Sequence, residues 1–208
     1  MNISKFLLIE AALVIASIPL LFLLQGGERK SPLLNIFNKE GLLRKDQVTL
    51  PDKKIIIDLE KNVISQGSGI EFDSLLGDWR FLSVWEKDID EEDSIFSSLL
   101  RIFSAKIKFK KNISSENSLK IAVIASIQLG LLTIEFSGSG YLKGKQPLLP
   151  FFLNLIELKS GSNILLSRSL EEPEEKDKPF FALIALGENG KWLSARGKGG
   201  AMIILLKD

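Results

Sequence analysis

Apolar and polar positions change their rhythm along this chain. Residues 6–24 are almost continuously apolar, interrupted by Glu10 and Pro19. Residues 28–74 mix short apolar clusters with charges, proline and glycine. From Leu75 onward, runs rich in Ile, Val, Leu and Phe alternate with Gly, Asn, Pro or charged stretches. Short β-prone runs between turn signals predict strands joined by hairpins. Strands do not alternate with long helices, which argues against a parallel α/β sheet.

The first apolar run is long enough to cross a membrane. Nineteen helical residues rise roughly 30 Å, the thickness of a hydrocarbon core. Glu10 lies near one end, where its carboxylate reaches the interface, and Pro19 kinks a helix that a bilayer tolerates. An uncleaved anchor is the expected reading. A cleaved signal peptide and an interfacial or buried helix are the alternatives. Lys5 on one side and Arg29 with Lys30 on the other favour neither orientation.

In residues 31–47, Ser31 and Pro32 suit an N-cap and first turn, and Leu33, Ile36, Phe37 and Leu42 suggest an amphipathic helix. Pro51 and Asp52 mark a turn, Ile55, Ile56 and Ile57 read as a short strand, and Gly67-Ser68-Gly69 forms a joint. The expected organisation is a hydrophobic helix over 1–27, a connecting segment over 28–74 and a β-barrel domain over 75–208.

The barrel opens on Gly77, which permits a tight turn, and Trp79, which either plugs its closed end or belongs to an ordinary buried first strand of an all-β domain, the latter being the expected reading. The stretch EKDIDEED over 86–93 is six-eighths acidic, but without the glycine and terminal glutamate of a calcium-binding hand it reads as a solvated loop. Residues 95–103 predict a short helix across one barrel mouth. Residues 105–110 alternate cleanly, with Ile107 and Phe109 inward and Lys106, Lys108 and Lys110 toward water or anionic headgroups. Two apolar runs over 119–127 and 131–136 predict strands. Gly138, Gly140 and Gly144 suggest a bend or wide turn after them. A hairpin over 151–170, a charged loop over 171–178, and strands over 180–186, 192–196 and 201–206 complete eight or nine antiparallel strands. Asn189-Gly190 is the strongest hairpin signal among them.

Composition narrows the chemistry. Lys and Arg total 27 against 26 Asp and Glu, a net charge of +1, so no global field recruits nucleic acid. The chain has no cysteine and no histidine. That removes disulfides, thiolate and imidazole metal sites, and catalysis by cysteine or histidine. The Gly138-Ser139-Gly140 and Arg196-Gly197-Lys198-Gly199-Gly200 stretches lack the spacing of phosphate-binding loops. No catalytic set, metal site or cofactor is expected. Glu135 and Glu157, in apolar strands, become an acid–base pair only if they meet in space. The abundant aliphatic residues suit either a filled core or a cavity for an apolar ligand. Arg168 and Arg196 are candidates to contact a ligand head. Alternatively, Arg196 stacks on Trp79 and latches the first strand to the last ones.

The run Leu76-Gly77-Asp78-Trp79-Arg80-Phe81-Leu82 resembles the opening of the plastid lipid-associated protein, or fibrillin, family. The run from Trp192 through Arg196-Gly197-Lys198-Gly199-Gly200 to Leu205 is similar to the family's closing arginine–glycine turn and apolar strand. The resemblance implies a lipocalin-like barrel in which Gly77, Trp79, Arg196 and Gly197 hold the family positions. It also implies association with thylakoids or lipid globules, with an apolar lipid, carotenoid or quinone as ligand. A thylakoid or plasma membrane of a cyanobacterium is the expected location. The chain lacks the tyrosine–leucine–aspartate run that usually precedes the closing arginine.

The resulting expectation is a membrane-tethered, non-catalytic binder or organiser of an apolar lipid, isoprenoid or pigment, with a membrane and a membrane protein as candidate partners. An assembly factor of a photosynthetic membrane with a solid barrel core is one alternative. A lipid-modifying enzyme using buried carboxylates is another.

Overall fold

The computed structural model describes residues 51–85, 92, 94–112, 120–144, 147–187 and 189–208. They belong to the compact unit Thr49–Asp208. The expected membrane segment, the amphipathic helix over 31–47 and nearly all of the acidic stretch lie outside the described residues. Among those residues, no helix is long and apolar enough to cross a membrane.

The described residues form three α-helices and nine strands, in the order α1 (Lys53–Gln66), α2 (Phe72–Leu75), β1 (Gly77–Trp85), α3 (Ser94–Ile102), β2 (Lys106–Lys111), β3 (Lys120–Leu129), β4 (Leu132–Tyr141), β5 (Leu148–Ser160), β6 (Asn163–Ser169), β7 (Phe180–Gly187), β8 (Trp192–Gly197) and β9 (Met202–Lys207). Eight close an antiparallel barrel in the order β4-β3-β2-β1-β9-β8-β7-β5, and β4 pairs back onto β5. The ninth, β6, is extra. Strand β5 is long enough to take two partners on one side. Its first residues, Leu148–Pro150, pair with β7, and its last, from Leu155 to Ser160, pair with β6.

Ile55, Ile56 and Ile57 are helical, correcting the expected strand. Three β-branched residues favour a strand locally, but Ile56 is fully buried and α1 packs on β7. Tertiary burial of one helical face outweighs a propensity difference of tenths of a kcal/mol. The helix therefore belongs with the barrel rather than to a connecting segment.

Gly138 and Gly140 do not bend the chain into a turn. They lie inside β4, opposite Leu153 and Phe151. A register shift between Ser137 and Gly138 bulges β5 at Asn154, and the two backbones crowd there. A β-carbon on Gly138 would overlap the Phe152 carbonyl oxygen and lie 2.8 Å from the Leu153 Cα. The glycine is required by close approach, not by a turn.

At the Asn189-Gly190 hairpin, both residues have positive φ, 56° and 82°, as the sequence pair predicts. Helix α3 lies where a helix was expected. The Ser97 hydroxyl accepts from the Val84 amide of β1 at 2.9 Å, and just beyond the helix the Phe103 carbonyl accepts from the Gln128 amide of β3 at 2.7 Å. The segment thus bridges β1 and β3 at one end of the barrel.

Candidate functional site

Residues directly opposite each other in a sheet share a face, so register alone traces the barrel interior. Trp79 lies opposite Ile107, Ile107 opposite Ala125, Ala125 opposite Phe136, Phe136 opposite Ile156, and Ile156 opposite Arg168. Trp79 is fully buried and Ile107 nearly so, which identifies this face as the inside. A second row runs from Ile127 through Ile134 and Leu158 to Leu166. From Ile127 and Phe136 outward, burial falls: those two are buried, Ile134, Ile156 and Leu158 are half-buried, and Leu166 and Arg168 are exposed on β6. An apolar surface therefore runs out of the core along the extended β4–β5–β6 wing. It ends at Arg168, which forms no ion pair among the described residues.

Trp79 occupies the other extreme. Its indole nitrogen donates to the Leu75 carbonyl at 2.7 Å. The Lys207 ammonium lies 5.1 Å from its ring centroid, within cation–π range. Gly77, two residues earlier, has φ 132° and meets the Lys207 side chain, whose Cε would lie 2.9 Å from an added β-carbon. Gly77, Trp79 and Lys207 thus form one packed end of the barrel.

Arg196 is not the cation over Trp79, which corrects the expected latch. Trp79 lies opposite Lys207 and Arg196 opposite Met202. Five residues of β9 separate those partners, about 17 Å at the usual strand rise, and the odd offset puts them on opposite faces. Arg196 instead grips α1. Its Nε and Nη2 donate to the Glu60 carboxylate at 2.5 and 2.6 Å, and Nη1 donates to the Gly200 carbonyl at 2.6 Å. Gly197, beside it, ends β8 and closes the turn with its amide on the Ala201 carbonyl at 2.9 Å. A bidentate carboxylate fork fixes the guanidinium plane, so this arginine acts as a clasp between helix and barrel. The Glu60 partner was invisible in sequence because α1 read as a strand.

The Arg196–Glu60 side chains are 29% and 19% exposed, between surface and buried pairs. A double-mutant cycle of Arg196→Ala and Glu60→Ala, read by urea denaturation of the full chain, is expected to give a coupling of about 1–2 kcal/mol. Additive losses would show that the clasp holds no energy.

Glu135 and Glu157 do meet. They are direct partners across β4 and β5. They occupy the outer face, because their neighbours Phe136 and Ile156 face inward. Lys159 lies between them, with Nζ 2.8 Å from Glu135 and 3.0 Å from Glu157. The hydrogen bond to Glu135, then that to Glu157, raises the lysine pKa. One ammonium neutralises both carboxylates in part, and the trio faces away from the barrel interior. Among the described residues, no group of three or more acidic side chains is arranged to hold a metal ion.

A second polar cluster ties down the charged loop. Lys178 binds Glu172 and Glu175, each at 2.7 Å, and these carboxylates raise its pKa, Glu172 foremost. The Tyr141 hydroxyl donates to Glu175 at 2.5 Å, which pushes the tyrosine pKa up. Lys178 first, and Tyr141 second, lower the pKa of Glu175. The lysine ammonium also lies 5.2 Å from the Phe152 ring centroid. Of the expected row of lysines on β2, Lys106 pairs with Asp208 and Lys108 with Asp78, so those two charges are answered within the domain.

Neither a family model nor a curated protein matches the chain.

Proposed function

We propose that this chain binds or organises an apolar lipid, isoprenoid or pigment at a membrane, without catalysis. The observation that carries this reading is the apolar interior face that continues past the packed Trp79 end to half-buried Ile134, Ile156 and Leu158 and stops at Arg168. Aliphatic walls solvate a chain or ring system, and one cation at the rim suits a polar or anionic head. Arg196 does not serve that purpose here, since Glu60 occupies its fork. The apolar run over 6–24 would tether the domain, and the resemblance of the Gly77–Trp79 and Arg196–Gly197 ends to the plastid lipid-associated proteins points the same way. On this reading the membrane is thylakoid or plasma membrane.

An assembly role with a solid core has its own support, because Trp79, Phe109, Leu149, Leu193 and Leu205 are essentially inaccessible. Mass spectrometry separates the two. The full chain, purified from membranes under native conditions, is expected to carry a lipid that organic solvent extracts. Arg168→Ala should lower its occupancy several-fold without lowering the melting temperature. A chain that emerges free of lipid in repeated preparations would favour the solid-core role.

A further inference from the structure

The described residues expose six large aliphatic side chains, and four gather at one end of the barrel. Leu131 is 88% exposed in the β3–β4 turn, and Ile164, Leu165 and Leu166 are 56–58% exposed on β6. Register brings them together: Leu132 pairs with Ser160, and Ser160 with Asn163. The β3–β4 and β5–β6 turns are therefore neighbouring tips.

Each feature runs against the usual treatment of a solvent-facing tip. Two-residue turns favour Asn, Asp or Gly, yet Leu131 follows Gly130 there. Edge strands are ordinarily shielded by charge or proline, yet β6 holds three successive aliphatic residues and one charge, Arg168. Leu166 lies on the inner face opposite Leu158, Ile164 is opposite the outward Lys159, and the register shift leaves Leu165 between them. Close to the β5–β6 turn, apolar side chains thus stand on both faces of β6, while the Glu135–Lys159–Glu157 trio occupies the outer face of β4 and β5. A protein groove ordinarily covers one face of such a strand; an interfacial lipid layer surrounds a protruding edge.

Charge points to the same occupant. Residues 128–134 contain no charge at all, and residues 160–170 contain no carboxylate. The nearest carboxylates, Glu135 and Glu157, are both held by Lys159. Acidic residues cluster instead over 86–93 and 171–177. The tip itself is apolar, and the one cation of β6, Arg168, stands five residues from the turn, opposite Ile156, where a long side chain can reach lipid phosphate while the aliphatic residues seat shallowly below.

We infer that the β3–β4 and β5–β6 tips, through Leu131, Ile164 and Leu165, dip into the surface of a bilayer, with Arg168 further along β6 at the level of the headgroups. The inference rests on the membrane reading above. It adds an orientation, with the open apolar wing toward lipid and the Trp79 end away. A lipid leaving the bilayer would then meet Leu166, Leu158 and Ile156 without crossing water.

The absence of cysteine makes the test direct. Single cysteines replace Leu131, Leu165 or Asn189 in the full chain, each carrying a nitroxide. Asn189 is the control: β1, β3 and β8 run parallel to one another, and the β7–β8 turn precedes β8 whereas the β3–β4 turn follows β3, so the two turns lie at opposite ends. The proteins are reconstituted into vesicles of phosphatidylcholine with phosphatidylglycerol. Collision with a water-soluble nickel chelate is expected to fall several-fold at 131 and 165 relative to detergent-free buffer without lipid, and to stay unchanged at 189. Labels at 131 and 165 as accessible as the label at 189 would overturn the inference, while flotation with the vesicles would still stand for the tether. Shielding that grows with protein-to-lipid ratio and brings spin–spin broadening would assign the tip to a second copy and overturn it equally. Loss of extracted lipid with shielding intact would sink only the ligand reading.

Discussion

Trp79→Ala is expected to cost about 3–5 kcal/mol, a large part of the stability of an ordinary domain. The indole is fully buried, so truncation leaves a cavity that the surrounding strands cannot collapse into without breaking the barrel's closure. It also strands the Leu75 carbonyl, which receives the indole proton at 2.7 Å, at a further cost of about 1 kcal/mol if water does not replace it. Trp79→Phe separates the two effects, since it keeps most of the ring volume and loses the donor. Urea denaturation of the full chain and both variants provides the measurement. A loss below about 1 kcal/mol for alanine would show that the tryptophan is peripheral to the core. Lys207→Ala is the companion for the ring face, with an expected loss near the low end of cation–π energies, about 0.5 kcal/mol.

Gly138→Ala comes next, with an expected loss of about 2–3 kcal/mol from one added methyl group. The new carbon would meet the Phe152 carbonyl and the Leu153 Cα, both backbone atoms, so no side-chain rotation relieves the overlap. Strand β5 must move, and its pairing with β4 extends from Leu132 to Gly140. Gly130→Ala is the contrast: nothing lies within 4 Å of its added carbon, and only its φ of 62° opposes the change, a cost of about 1 kcal/mol. If the two variants melt alike, crowding at the bulge is not what selects glycine at 138.

Much of the sheet was legible because its signals are local. Alternation at Lys106–Lys111, the Asn189-Gly190 turn and the apolar runs leading into β3, β5, β7 and β9 each require only a few neighbouring residues. The mainly β architecture and closed barrel follow from those strands. What stayed hidden depends on partners distant in sequence. The Ile55–Ile57 triplet is helical because Ile56 reaches the core beside β7. Gly138 resembles a turn residue until the bulge at Asn154 is known. Arg196 looked suited to Trp79 because both belong to strands that β9 joins, yet only register reveals that β9 holds them at opposite ends and on opposite faces. Glu135 and Glu157 carried no sign of their pairing, since 22 residues of chain separate direct neighbours. Arg168 was visible as a cation in a strand, but its place at the end of an apolar row needed five successive pairings.

The divided loyalty of β5 has a mechanical consequence. Its ladder with β7 contains three residue pairs, Leu148 with Ala182 to Pro150 with Phe180, whereas β3 and β4 share ten. A ring of strands yields where the fewest hydrogen bonds must break together, so thermal breathing should concentrate at this seam. Amide hydrogens flanking it are expected to exchange with solvent before those of β3 and β4. The ring can thus part at one place while the remaining strands stay paired, and a ligand of the kind proposed above would have its way in there, sparing the rest of the wall.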